Sequence, residues 1–168
     1  MSEIAARLEK PATSLARPLA QLMDLGYIRR ELPFAEDAKS TRKSLYKIKD
    51  PFLRFHFRFI QPRKTHLETG LIKAVQQDIR KAFSHHVGQI WEDMARQSVP
   101  NCGLAGYDWG PAERWWGTAI DGQPCELDLV AESLDGKVVL LGEVKWNESD
   151  VDVERDGTRL MELGKRVP

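Results

Sequence analysis

Residues 125–131 (CELDLVA) and residues 136–146 (GKVVLLGEVKW) decide the fold of the second half of this chain. Both stretches are rich in Val and Leu, and they are predicted to be β-strands joined by a turn at residues 133–136 (SLDG). Because side chains alternate between the two faces of a strand, Glu143 and Lys145 are predicted to point the same way. The hairpin would bring Asp128 beside them, so two carboxylates and one ammonium are expected to converge at one point.

These three side chains form a set that suits metal-assisted hydrolysis of a phosphodiester. Mg²⁺ prefers oxygen ligands and keeps several waters, so one or two carboxylates suffice to hold it. The sequence predicts Mg²⁺ or Mn²⁺ on Asp128 and Glu143, with the Val144 carbonyl as a further ligand. Lys145 would then position or activate the attacking water, or stabilise charge on the phosphate. The alternative is a solvated strand face that carries alternating charges.

The spacing of the set resembles the PD-(D/E)xK nuclease superfamily. That superfamily has an Asp, a gap and then Glu-x-Lys on the next strand, and here Glu143 lies 15 positions after Asp128. The resemblance implies a restriction-endonuclease-like mixed sheet flanked by helices. It also implies that the first helix supplies an acidic residue to the metal site, and Glu92 matches by position; the alternative is a surface glutamate. The helix is predicted over residues 78–97, with an apolar face formed by Val87, Ile90, Trp91, Met94 and Ala95.

Composition narrows the class of protein further. The chain has 168 residues, of which 42% are hydrophobic and 30% charged, which is typical of a globular protein of one or two domains. No apolar run approaches the roughly 20 residues of a membrane span, so no membrane partner is expected. There are two cysteines and no Cys-x-x-Cys, which favours a reduced, cytoplasmic protein without a zinc site.

Charge is distributed unevenly along the chain. Residues 1–73 carry 15 Lys and Arg against 8 Asp and Glu, whereas residues 74–168 carry 10 against 17. This asymmetry indicates two functional halves, with a basic half that could meet phosphates and an acidic half that could hold a metal. Attraction between the two halves is an equally good explanation of the same pattern.

The basic half has the element order of a winged helix-turn-helix. Helices are predicted over residues 2–8 and 12–25, followed by strands over 27–32 and 45–48 that flank a polar, basic loop. In such modules the second helix enters the major groove and the loop touches the DNA backbone. Arg17, Arg42 and Lys43 are therefore candidate nucleic-acid contacts. The alternative is a packing or regulatory module that touches no DNA.

Residues 46–62 (YKIKDPFLRFHFRFIQP) form the most specific string in the sequence. A strand ends at the Asp-Pro pair, and a helix follows with Phe52, Phe55 and Phe59 predicted as a core-facing stripe. Four further strings follow in order: residues 88–92 (GQIWE), 114–116 (RWW), 126–131 (ELDLVA) and 142–146 (GEVKW). Together these five segments resemble the C-terminal region of bacterial and archaeal AAA/STAND-type ATPases, with His56 where that family usually has Trp.

The resemblance implies an α/β (α+β) protein in three parts. Residues 1–50 would be a partial winged helix, residues 51–73 an aromatic linker helix, and residues 74–168 a nuclease-like domain truncated at its C-terminus. No Gly-x-x-x-x-Gly-Lys-Ser/Thr occurs, so an ATPase module would act in cis or in trans rather than within this chain. The expected function is metal-dependent DNA cleavage. The alternatives are a non-catalytic DNA- or protein-binding module of an ATPase and a decayed fragment.

Overall fold

The computed structural model describes residues 1–39, 41, 43–147 and 152–166. The chain divides into two compact units, one made of residues 1–32 and 37–81 and the other of residues 33–36 and 82–168. Mixed helix and strand content confirms the predicted α/β class. The boundary falls between residues 81 and 82, within a long helix, and the aromatic segment 51–73 belongs to the first unit.

The first unit begins with two helices and a hairpin, in the predicted order. Helix α1 spans Ser2–Arg7 and helix α2 spans Ala12–Asp24. Strands β1 (Ile28–Glu31) and β2 (Leu45–Ile48) pair antiparallel. The first and last residues of all four elements lie within two residues of the predicted ones. Their assignment to a winged helix stays a prediction. Ala5, Leu15 and Leu19 form the buried centre of this arrangement.

The aromatic segment departs from the predicted stripe. Helix α3 spans Pro51–Phe55, and Asp50 is its N-cap. The Asp50 carboxylate accepts the Leu53 N–H at 2.9 Å. The next turn, His56–Ile60, is π-helical. Phe55 and Phe59 stay together across this turn, with ring centroids 5.1 Å apart. Phe59 is buried, as predicted, but Phe52 is 69% exposed, so its predicted core position is wrong.

The rest of the first unit is helical. A 3₁₀ turn (Gln61–Arg63) leads into helix α4 (Lys64–Glu68), and helix α5 (Ile72–Ser98) follows. Residues 72–81 of α5 belong to the first unit and the remaining residues to the second. No helix in the described part of the chain is long and apolar enough to cross a membrane.

The second unit is built on a three-stranded sheet in the order β3–β4–β5. Its strands are Glu113–Thr118, Pro124–Glu132 and Val139–Gly142. Both neighbouring pairs are antiparallel, so the described sheet is antiparallel throughout rather than mixed as predicted. The hairpin between β4 and β5 turns at the predicted place, where Gly136 has a φ of +70°, a conformation that favours glycine.

A bulge divides β4 into two stretches. Glu113 pairs with Val130 and Trp115 with Leu127, so β4 has one more residue than β3 between these pairs. The extra residue falls at Asp128–Leu129 and reverses the alternation of faces. Accordingly, Leu127 and Val130 lie in one hydrophobic cluster, and Leu129 and Ala131 lie in another.

Helices α5 and α6 (Val153–Arg166) contribute differently to the second unit. On α6, Leu160 and Leu163 pack against the cluster that contains Leu127. On α5, by contrast, the predicted apolar face is wrong in part, because Trp91 is 42% exposed and Met94 is 55% exposed. The buried side chains of α5 in this unit are His86, Asp93 and Arg96.

Candidate functional site

The structure brings Asp128 to the backbone of the Glu-x-Lys segment, whereas the convergence of the three side chains stays a prediction. Leu129 and Gly142 form the end pair of the β4–β5 ladder, and Asp128 and Glu143 are their immediate neighbours in the chain. The Asp128 carboxylate accepts the Val144 N–H at 3.0 Å, which joins the bulge to the segment. Gly142 leaves room for this approach, since a Cβ there would stand 3.2 Å from the Leu129 side chain.

The structure differs from the prediction at the end of β5. The strand ends at Gly142, so Glu143 and Lys145 do not lie on it and strand alternation does not set their directions. The Lys145 ammonium lies 2.7 Å from the Asp156 carboxylate of α6. This hydrogen bond lowers the pKa of the Asp156 carboxyl below its usual value. Lys145 is therefore held by a residue that sequence reasoning did not identify.

Arg96 is a second residue that sequence reasoning missed. Its guanidinium donates to the Asp128 backbone carbonyl at 2.6 Å, at the bulge where the ladder between strands is interrupted. It also donates to the Asp93 carboxylate at 2.6 Å, and both side chains are buried. A basic and an acidic residue three positions apart on a helix usually form an exposed pair, so the sequence carried no signal of this role.

Glu92 lies beside this network. Its carboxylate is 3.9 Å from the Arg96 guanidinium. Among the described residues, no three His, Cys, Asp or Glu side chains are placed to hold a metal ion together. Glu92, Asp128 and Glu143 therefore do not form a three-carboxylate cluster. The metal role of Glu92 stays a prediction.

Asp128 and Glu143 carry carboxylate oxygens, the type of ligand that a hydrated divalent cation takes, and cation binding by these two residues stays a prediction. Within the described residues, the Asp128 carboxylate accepts one hydrogen bond, which comes from the Val144 N–H. The Glu143 side chain is exposed. Both carboxylates thus keep lone pairs available, and two carboxylates with water satisfy Mg²⁺ or Mn²⁺. The Val144 N–H faces Asp128. That the Val144 carbonyl is a metal ligand stays a prediction.

The three predicted nucleic-acid contacts belong to the first unit. Arg17 is exposed on α2, next to Pro18 within the helix. Lys43 is exposed, and its backbone N–H donates to the Thr41 hydroxyl at 3.1 Å. Arg42 lies outside the described residues.

Comparison with known proteins gives a family and a relative. Residues 56–156 match the family DUF234, described as archaeal and bacterial proteins of unknown function. The chain is also similar to the uncharacterized protein MJECL04 of Methanocaldococcus jannaschii, with 29% identity over 141 residues. That match covers 82% of this chain and 30% of the relative, so the chain spans under a third of the relative's length. No solved structure matches the chain significantly.

The matched region begins in the aromatic segment and ends in the first turn of α6, so it contains Glu92, Asp128, Glu143, Lys145 and Asp156. A match over more than half of the chain assigns the family. The chain belongs to the DUF234 family of archaeal and bacterial proteins.

Proposed function

We propose that the second unit is a Mg²⁺-dependent nuclease-like domain that hydrolyses phosphodiester bonds in DNA. The observation that carries the proposal is the hydrogen bond from the Val144 N–H to the Asp128 carboxylate. It joins the bulged strand to the segment that contains Glu143 and Lys145. Two available carboxylates and an ammonium thereby belong to one short stretch of surface, and that combination suits charge development on a phosphate.

Each residue has a role that follows from its chemistry. Asp128 and Glu143 would hold Mg²⁺ or Mn²⁺, which when bound would supply an activated water and offset phosphate charge. The Lys145 ammonium carries three N–H donors, and one of them is used by Asp156. The other two are available to a phosphate oxygen and to the attacking water. Arg96 fixes the backbone of Asp128, so that its carboxylate keeps its position.

DNA is the proposed substrate because the first unit carries the excess of basic residues. Residues 1–73 have 15 Lys and Arg against 8 Asp and Glu. Phosphate contacts by Arg17, Arg42 and Lys43 would supply sequence-independent affinity that falls with salt. We propose that an ATPase module in cis or in trans completes the assembly.

Cleavage assays test the nuclease activity directly. Purified chain is incubated with supercoiled plasmid and with single-stranded DNA, in Mg²⁺, in Mn²⁺ and in EDTA. We expect metal-dependent cutting by the wild type, and at least about 100-fold slower cutting by Asp128→Ala and Lys145→Ala. Lys137→Ala is the matched control, because Lys137 pairs with Asp135 in the β4–β5 turn. Equal cutting by wild type and both site variants would overturn the assignment.

DNA binding by the first unit has its own test. Replacing Arg17 and Lys43 by Gln should weaken binding to all sequences alike and should lower the salt slope by about two. The control is Lys73→Gln, which removes one exposed charge of the same unit at the start of α5. An unchanged salt slope in the double variant would remove these two residues from the DNA interface.

A second candidate function is a non-catalytic DNA- or protein-binding module of an ATPase. The observation that favours it is the exposure of Phe52 and Phe57, which are 69% and 53% exposed on the first unit. Exposed aromatic side chains are common at docking surfaces. Under this alternative, the wild type would bind DNA or a partner and would cut no substrate in any metal, whereas the site variants would bind equally well.

A further inference from the structure

We infer that Asp156 is a positioning residue that orients the Lys145 ammonium for reaction at the Asp128–Glu143 site. The inference rests on the proposed nuclease function and adds a residue to it. It starts from the ion pair between the Lys145 ammonium and the Asp156 carboxylate, which are 2.7 Å apart. Asp156 acts through Lys145 and has no assigned contact with substrate.

Lys145 needs such a partner because its backbone is not held in the sheet. The strand ends three residues earlier, at Gly142, and residues 143–147 have no regular structure. A lysine side chain has about 2 kcal/mol of rotamer entropy, so a free ammonium would sample many positions. Asp156 supplies the only side-chain partner recorded for the Lys145 ammonium within the described residues. The carboxylate therefore selects one direction for the lysine.

Asp156 itself is well fixed, because it lies in the first turn of a packed helix. The Asp152 carboxylate accepts the Arg155 N–H at 3.0 Å, and the Asp152 carbonyl accepts the Asp156 N–H at 2.9 Å. A carboxylate in the first turn is also favoured by the helix dipole.

Helix α6 is anchored along its length. Gly164 allows close packing on the sheet, since a Cβ there would overlap the Leu141 side chain. At the far end, the Arg166 carbonyl accepts the Ile120 N–H at 2.8 Å. The Asp156 carboxylate is only 13% exposed, so its place in the structure is defined by packing.

Within the described residues, Arg155 is the other cation that pairs with Asp156. Arg155 lies 3.3 Å from the second oxygen of Asp156, but its side chain is 71% exposed. An exposed partner contributes little to a preferred geometry, since solvent screens the interaction. Arg155 is therefore expected to be dispensable, and the orientation of Lys145 is expected to depend on Asp156 alone.

The test measures steady-state DNA cleavage in Mg²⁺ by the full chain. Asp156→Asn removes the charge of the carboxylate and keeps its shape. We expect kcat to fall about tenfold or more, as for other groups that orient a ligand or catalytic residue, while KM stays within about twofold. Asp156→Glu, which keeps the charge, should recover part of the loss. Glu154→Gln is the control, because it neutralises an exposed carboxylate of the same helical turn.

A double variant separates positioning from stability. Because Lys145→Ala already removes the oriented group, adding Asp156→Asn to it should cause no further loss of kcat. Thermal unfolding of every variant shows whether a loss of rate follows a loss of fold. Additive losses, or an Asp156→Asn variant with the kcat of Glu154→Gln, would overturn the positioning role while the nuclease proposal stands. A wild type that cuts nothing would overturn the nuclease proposal, and the positioning role with it.

Discussion

The two units each contain a carboxylate next to paired strands, and these carboxylates have different kinds of partner. In the first unit the Glu31 carboxylate lies 2.6 Å from the guanidinium of Arg29 on the same strand and 3.0 Å from the ammonium of Lys47 on the neighbouring strand β2. In the second unit the Asp128 carboxylate takes a backbone N–H, and Glu143 is exposed. Glu31 has its charge balanced by protein cations, whereas Asp128 and Glu143 form no ion pair within the described residues. The first arrangement stabilises a hairpin, and we propose that the second serves a reaction.

The largest expected effect is on the rate of DNA cleavage, which should depend on Glu143 and not on Glu31. Glu143→Gln should lower the rate of DNA cleavage in Mg²⁺ by at least about 100-fold, because it removes a charge at the proposed metal site. Glu31→Gln is the matched control and should leave the rate within about twofold. Equal rates for the two variants would remove the distinction between a structural and a functional carboxylate.

Arg96 sharpens the comparison, because it donates a hydrogen bond to the Asp128 carbonyl and forms a buried ion pair with Asp93. Arg96→Leu leaves the Asp93 carboxylate buried without its guanidinium partner, which should lower the free energy of unfolding by about 3 kcal/mol. Equilibrium unfolding in urea measures this loss. Asp93→Asn with Arg96→Leu should recover part of it, since the charge of the buried carboxylate is then removed together with its guanidinium partner. A single Arg96→Leu variant as stable as the wild type would contradict the network.

The smallest expected effect lies in the Glu31 cluster. Glu31→Gln should lower the free energy of unfolding by about 1–2 kcal/mol at pH 7, because two charge-assisted hydrogen bonds weaken. Burial raises the pKa of Glu31, but Lys47 and Arg29 outweigh burial, and the net pKa is lowered.

The lowered pKa gives this effect a pH dependence with a definite sign. A carboxyl with a depressed folded-state pKa contributes stability above its unfolded value of 4.5, and the contribution is lost as pH falls through the folded value. The melting temperatures of wild type and Glu31→Gln should therefore differ at pH 7, and the difference should shrink as pH falls below 4.5. A difference that grows on acidification would contradict the assigned direction.

Much of the fold could be predicted from the sequence, since local patterns set it. The two N-terminal helices, the β4–β5 hairpin and its turn followed from apolar spacing and a glycine in the right place. The approach of Asp128 to the Glu-x-Lys segment followed from the hairpin. The exposure of Phe52 did not follow, because apolar spacing on a helix does not show how far along the helix the core extends.

Other parts of the site depend on packing that sequence patterns do not contain. Trp91 and Met94 looked apolar enough to face the core, but Asp93 and Arg96 occupy the buried face of α5. Burial of a charged pair requires a specific partner, here the Asp128 carbonyl at a bulge, and neither shows in a spacing rule. The partnership of Lys145 with Asp156 likewise required the placement of α6.

Mg²⁺ binding by titration calorimetry tests the central claim most directly. Wild type, Asp128→Asn and Glu31→Gln are titrated under identical conditions, with Ca²⁺ as a second cation. The account predicts saturable Mg²⁺ binding at one site in wild type and in Glu31→Gln, and loss of that binding in Asp128→Asn. Wild type without Mg²⁺ binding, or Asp128→Asn with binding equal to wild type, would contradict the assignment of Asp128 and Glu143 as a metal site.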